Sequence, residues 1–202
     1  MILSSNEIRK LITDSKVPMI QPFSENQLQG VSYDVSMSGD VVRLKETGGI
    51  IDPASEINDT LYEKITIGEE GYLLSPGSFV LVGLAERISL PDNLTAHIRP
   101  RTRFTRNGIL ICDQHCNPSY SGILQIGLYN AGVNSFLLRK GLKFAQIVFE
   151  MLSSVPDSNK LYRNKKDATY NDEAEFRGSR FGIETLSEEG AKLYLDIINS
   201  LK

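Results

Sequence analysis

The sequence predicts a mainly β domain, a distorted antiparallel barrel or jelly roll with short flanking helices, on three observations. Short apolar runs recur through the middle of the chain and are cut at intervals by turn-forming residues. Helical spacing of apolar residues occurs only near the two ends. A length of 202 residues is one at which all-β barrels commonly form a single domain with a sizeable core.

At the start, Glu7 to Thr13 has helical spacing, with Ser4 or Ser5 available to cap the first free N–H groups. Six stretches then read as strands: 68–74, 79–90, 95–98, 109–117, 123–130 and 143–151. Pro76-Gly77, Pro91-Asp92 and Asn130-Ala131-Gly132 separate them. Residues 153–180 are polar with little apolar periodicity and read as an arm or a flexible lid. Leu193, Ile197, Ile198 and Leu201 give the stretch from Leu186 a helical pattern, and both terminal helices are expected to pack on the barrel. The expected organisation is one domain over 1–180 and a C-terminal helical extension over 181–202, without internal repeats.

Composition narrows the function classes. Twenty-two Lys and Arg against 25 Asp and Glu leave a net charge of −3, so no nucleic-acid partner is expected. No apolar stretch approaches the ~20 residues that span a bilayer, and no basic region followed by an apolar core opens the chain, which predicts a cytoplasmic protein without a membrane partner. Cys112 and Cys116 lie four apart on what reads as one side of a strand, which is not a disulfide framework. Together with His115 they hint at a metal site, but four-ligand sites need more, and His97 is the only other histidine. No metal site is expected.

Against that weak net charge, the run Arg99-Pro-Arg-Thr-Arg-Phe-Thr-Arg106 puts four guanidinium groups into eight residues. Arg pairs bidentately with phosphate oxygens, so the run is the footprint of a small polyanion. Broken by Pro100 and ending at Asn107-Gly108, it reads as a loop. Next, Asp113, His115 and Asn117 follow an apolar start at period two, Pro118 to Gly122 form a turn, and 123–130 returns apolar. In a hairpin the three polar residues share a face, either a wet face of no special role or a converging carboxylate, imidazole and amide beside the arginines. If the hairpin is symmetric about Tyr120, Asp113 stands directly across from Gly127.

Several strings carry a family resemblance. They are Arg101-Thr-Arg-Phe-Thr-Arg106-Asn-Gly-Ile109, Asn117-Pro-Ser-Tyr-Ser-Gly122, Tyr129-Asn-Ala-Gly132 and Gly141-Leu-Lys-Phe-Ala-Gln146-Ile-Val-Phe149. The opening Met1 to Ile8, Ser32-Tyr-Asp-Val35, Ser75-Pro-Gly77 and Glu86 to Pro91 fit the same order over roughly residues 1 to 180. Together they resemble the dCTP deaminase branch of the dUTPase superfamily. The resemblance implies a dUTPase-like barrel and a homotrimer with active sites between chains, closed by the C-terminal stretch. It implies metal-free conversion of dCTP to dUTP, with Mg2+ able to accompany the bound triphosphate. Arg101, Thr102, Arg103 and Arg106 map onto the triphosphate motif, Asp113, His115 and Asn117 onto the base and sugar hairpin, and Gln146 onto a further shared motif. Tyr162, Lys166, Thr169 and Glu173 fall in the closing segment.

The chain departs from that pattern where the resemblance puts its chemistry. The glutamate that serves the deaminases as general base and acid corresponds to Gly127, and the water-activating aspartate of the dUTPases corresponds to Asn117; neither residue moves a proton. Thr169 stands in place of a phosphate-binding lysine, Glu173 in place of a glutamine, and Arg103 in place of a small hydroxyl residue. Three readings stay open: an enzyme whose catalytic group has moved to Asp113 with His115, acting as deaminase or diphosphohydrolase on another base; a non-catalytic protein that senses or sequesters deoxynucleoside triphosphates; and a structural trimer.

Overall fold

A computed structural model of the protein describes residues 1–52, 54, 59–182 and 186–200. In chain order its elements are α1 (Ser5–Thr13), β1 (Ile20–Gln21), β2 (Tyr33–Leu44), β3 (Tyr62–Thr66), β4 (Tyr72–Leu74), β5 (Phe79–Leu84), β6 (Arg87–Ser89) and β7 (Leu94–Pro100). Then follow α2 (Thr102–Thr105), β8 (Ile109–Ile111), β9 (Gln114–Cys116), β10 (Ser121–Gly122), β11 (Gln125–Asn130), β12 (Phe136–Leu138), β13 (Lys143–Met151) and α3 (Glu188–Ser200). The fold is mainly β, as the sequence predicts.

Eight strands form the principal sheet, in the order β8-β11-β5-β2-β13-β7-β9 with β3 added on β2. From β8 to β9 every neighbouring pair is antiparallel. Its two end strands, β8 and β9, are consecutive pieces of one extended stretch, with only Cys112 and Asp113 between them. The sheet therefore curls round until the same segment supplies both edges, the closure by which a barrel removes its exposed strand edges. Two smaller sheets, β1-β6-β10 and β12-β4, complete the strand set.

Strand β2 carries the curl. Its first half pairs with β13 and its second with β5, with register breaks between Met37 and Val41 on the β5 side and between Lys143 and Ala145 on the β13 side. The sequence shows no clean strand here, because Ser36, Ser38, Gly39 and Asp40 interrupt the apolar pattern, and those residues are where the strand bends. Inside the curl, Tyr33, Phe144, Phe149, Met37 and Leu84 are fully buried, and α1 adds Ile8 and Ile12. Helix α1 starts as its sequence asks: Glu7 Oε2 accepts from the Ser4 amide at 2.8 Å and from the Ser4 hydroxyl at 3.0 Å.

The chain divides into two compact units, Met1–Arg43 with Lys64–Phe176, and Leu44–Glu63 with Arg177–Lys202. Within the second, the Lys45 amide donates to Leu61 O at 2.8 Å, and the Tyr62 hydroxyl meets that of Ser179. Helix α3 belongs to this unit, and none of its residues is buried. Leu201 of its apolar pattern lies outside the described residues. Among the described residues no helix is long and apolar enough to cross a membrane.

The turn after α2 depends on a close backbone approach. Gly108 has φ of +77°, and a Cβ there would stand 2.7 Å from the Gly132 Cα. Gly77 has a similar φ of +76° with open space around it. Gly77→Ala is therefore expected to cost about 1–2 kcal/mol, the ordinary left-handed penalty. Gly108→Ala should cost on the order of 3 kcal/mol, since the facing backbone must also move. Urea unfolding of the two variants measures the difference.

Candidate functional site

The arginine run does not form the loop that Pro100 predicts. Strand β7 runs through Pro100, and residues 102–105 make one helical turn, α2, behind Arg101. Buried Phe104 anchors the turn, its ring 5.5 Å from that of Phe136, and this hydrophobic tether holds an otherwise exposed segment in helical form. Arg103 and Arg106, three apart, share a side of the turn. Both are exposed, and among the described residues neither has a side-chain partner.

Arg101 is held differently. Its Nη1 lies 2.7 Å from Asp34 Oδ2, and the two side chains are only 21% and 5% exposed. Gln29 Nε2 donates to the same carboxylate oxygen at 3.2 Å. Beside this pair opens a cleft of about 500 Å3 lined by Asn26, Gln29, Asp34, Arg101, Arg103, Gly141, Leu142 and Lys143. Three cationic side chains face one carboxylate, so the wall is net positive, with amide groups to orient an anion. Lys143 and Gln29 are absent from the residues that sequence spacing singles out; a lone Lys at a strand start and a Gln in a turn carry no pattern. Arg106, Gln146 and the hairpin residues do not line this cleft. Gln146 accepts from the Ser32 hydroxyl at 3.1 Å, tying β13 to the start of β2.

The hairpin register differs from the symmetric one by one residue and then breaks. Leu128 pairs with Ile111 and Asn130 with Ile109, and the Cys112 amide donates to Gly127 O at 2.9 Å. Cys112, not Asp113, is thus the residue beside Gly127. After it the chain leaves β11 and pairs with β7 instead, Gln114 with Ile98 and His115 with His97. The switch also separates the cysteines: Cys112 is exposed, whereas Cys116 is buried and its thiol pushed up to about 12 by that burial.

At Gly127 the space beside the backbone is taken by two exposed side chains. A Cβ built there would stand 2.7 Å from Phe79 Cζ and 2.8 Å from Cys112 Sγ. The ring and the thiol rest on the glycine backbone, where any side chain would have to stand.

Asp113, His115 and Asn117 are all exposed and alternate with partly or fully buried Gln114 and Cys116, so they share one face as the spacing predicts. Asp113 Oδ2 takes a hydrogen bond from Arg99 Nη1 at 2.6 Å. The His115 ring centroid lies 4.9 Å from that of His97, and Thr95 Oγ1 is 3.4 Å from His115 Nε2. Burial and then the His97 imidazole hold His115 below the ordinary histidine value, against a hydrogen bond with Asn117 and the charge of Glu150. It is a neutral imidazole at neutral pH. Among the described residues no group of three or more His, Cys, Asp or Glu is placed to hold a metal ion.

The polar arm lies on the turn of this hairpin. The Tyr162 amide donates to Pro118 O at 3.1 Å and the Arg163 amide to Ser119 Oγ at 3.1 Å, while Arg163 forms a two-pronged pair with Asp92. The Tyr162 ring sits 5.7 Å from that of buried Tyr120, and burial raises both hydroxyls above the usual tyrosine range. Further on, the Asp172 amide donates to Ser121 O at 2.6 Å and the Ile123 amide to Glu173 O at 2.7 Å, with Glu173 4% exposed. Lys166 is exposed, and the Thr169 hydroxyl closes on its own loop at Asp167 O, 3.0 Å away.

Residues 2–152 match the model of the family described as dCTP deaminase-like. The chain is 33% identical over 157 residues to a dCTP deaminase, dUMP-forming, of Hydrogenobaculum sp., covering 77% of this chain and 85% of that protein. It is 31% identical over 196 residues to the dUMP-forming enzyme of Dictyoglomus thermophilum, covering 94% and 99%. The crystal structure of 2'-deoxycytidine 5'-triphosphate deaminase from Agrobacterium tumefaciens superposes with a TM-score of 0.61 at 19% identity, over 78% of this chain and half of that longer one, a likeness of fold. With the curled sheet and the co-linear motifs, the family match over most of its length makes this chain a member of the dCTP deaminase-like family.

Proposed function

We propose that this protein binds a deoxyribonucleoside triphosphate and does not deaminate it through position 127. The observation that carries the reading is the packing of Phe79 and Cys112 on Gly127, which fills the place of the carboxylate that family chemistry calls for. Asp113, the nearest carboxylate in sequence, is engaged by Arg99, and Asn117 does not titrate. Phosphate recognition is supported by Arg101, Arg103 and Lys143 on one cleft and by Arg106 on the same helical side as Arg103. A Mg2+ ion arriving with the nucleotide would take its ligands mainly from phosphate oxygens and water. The relatives' activity on dCTP makes a pyrimidine triphosphate the first ligand to test. We infer a homotrimer, with Tyr162, Lys166, Thr169 and Glu173 closing sites between chains.

One observation favours catalysis instead. His115 is neutral, exposed and hydrogen-bonded to Asn117, which suits a general base whose proton Asp113 or solvent could receive. Incubating the protein with each common deoxynucleoside triphosphate and separating the products by chromatography decides between the readings. The binding reading predicts intact nucleotide throughout, and a uracil nucleotide formed from dCTP would overturn it.

Two sets of variants follow from this assignment. Arg103→Ala and Arg106→Ala should each weaken triphosphate binding by about 1.5–3 kcal/mol, roughly 10- to 100-fold in Kd, by calorimetry. Arg101→Ala should act first on folding, losing about 3–5 kcal/mol because it strands the buried Asp34. Gly127→Glu alone should destabilise the fold without creating deaminase activity. Adding Phe79→Ala and Cys112→Ala should restore the melting temperature, since the clash is with those two side chains. A stable, unperturbed Gly127→Glu single variant would show that the place is open after all.

A further inference from the structure

We propose that His97 and His115 form a proton-operated latch that holds strand β9, and with it the first part of the arm, on the barrel. While His115 is neutral the latch is shut; when it gains a proton alongside a charged His97, β9 comes away from β7 and takes the 117–119 part of the turn with it.

Strand β9 is lightly secured: it is three residues long, lies at the sheet edge and, among the described residues, pairs with β7 alone. His115 is its middle residue and stands directly opposite His97, with the rings 4.9 Å apart and tilted by 52°. Directly opposed side chains on neighbouring strands are the unit of sheet stabilisation, and like charges in that relation weaken the pairing. A three-residue strand has few other contacts to offset that repulsion.

Charged and polar groups surround the pair. From β13, Glu150 Oε1 lies 3.9 Å from His97 Nε2, and uncharged Val148 is paired with His97. From β7, Arg99 faces the pair but is neutralised by Asp113, which belongs to the link before β9. From the turn, Asn117 bonds His115, and Thr95 of β7 divides its hydroxyl between His115 Nε2 and Cys116 O. His97 thus stands next to a carboxylate, while a proton on His115 meets the facing imidazole and a partly desolvated site.

The sign of the pH dependence follows. His115 is held below its ordinary value in the folded chain by burial and by His97, so over that interval the folded state binds fewer protons than the unfolded state. The stability that neutral His115 gives β9 is complete above the unfolded histidine value of about 6.5 and is lost as pH falls through the lower folded value.

The arm reports the latch because its anchors divide. The Tyr162 and Arg163 amides are bonded to Pro118 O and Ser119 Oγ, next to β9. The Asp172 and Ile123 amide bonds, by contrast, sit on or beside β10, which β6 holds independently. Opening β9 should free the first pair and leave the second. The latch is a property of the free chain, so its test is independent of the nucleotide-binding reading.

The experiment is amide hydrogen exchange by NMR, as protection factors corrected for intrinsic rates, at about pH 7.5 and about pH 5, on either side of histidine titration. In the wild type, protection at residues 114–116 and at the Tyr162 and Arg163 amides should fall severalfold at the lower pH, while the Asp172 and Ile123 amides stay protected. His115→Gln should abolish the pH dependence at the first set. His97→Gln, which removes the opposing cation, should shrink it and serves as the second variant if His115→Gln folds poorly. Equal protection at both pH values in the wild type, or an undiminished pH dependence in both variants, would overturn the latch.

Discussion

The molecule depends on one extended segment pairing in two directions. Residues 109–112 bind β11, and 114–116 bind β7, at the opposite end of the same sheet. This double pairing closes the curl and leaves the segment only two residues in which to pass from one partner to the other. Several polar contacts lie beside that passage. Cys112 is delivered to Gly127, Asp113 to Arg99 and His115 to His97, and the turn that receives the arm comes immediately afterwards.

A second constraint acts between β2 and α2. The Asp34–Arg101 pair joins the start of β2 to the entry of α2, and Gln146 on β13 is tied to Ser32 on the adjacent turn. A buried pair of this kind adds little net stability over an apolar contact of the same shape, yet losing one member is costly, so it fixes geometry more than it contributes free energy. Arg101 is spent on aiming the turn, which leaves Arg103 and Arg106 to present charge outward. Four arginines in eight residues therefore differ in their surroundings: Arg99 pairs with Asp113 and Arg101 with Asp34, while Arg103 and Arg106 are exposed.

The fold was largely legible because local pattern and burial agree for most elements. Apolar runs between Pro, Gly and Asn turns mark β5, β7, β11 and β13, and the Ser4–Glu7 box marks α1. Legibility fails where tertiary partners override local preference. Strand β2 was hidden because its polar middle is a bend between two partners, and α2 because Phe104 anchors a turn that Pro100 argues against. The hairpin was misread by one residue because symmetry about Tyr120 assumes a single partner for the whole strand. Of the site, the arginines and the shared face of Asp113, His115 and Asn117 were readable, since charge density and period two are local signals. Phe79, Gln29 and Lys143 were not, because their significance lies wholly in what the fold brings next to them.

The packing at Gly127 gives the loss of a carboxylate a structural logic. Were the glycine simply missing a side chain, a pocket would stand open and a neighbouring acid could lean in. Here the space is taken by an aromatic ring and a thiol from the two strands that flank β11, so the three positions form one packed unit. A side chain at position 127 meets both neighbours, which must shift to admit it. The arginine turn shares none of the Gly127 contacts, so the two halves of the candidate site rest on separate physical support.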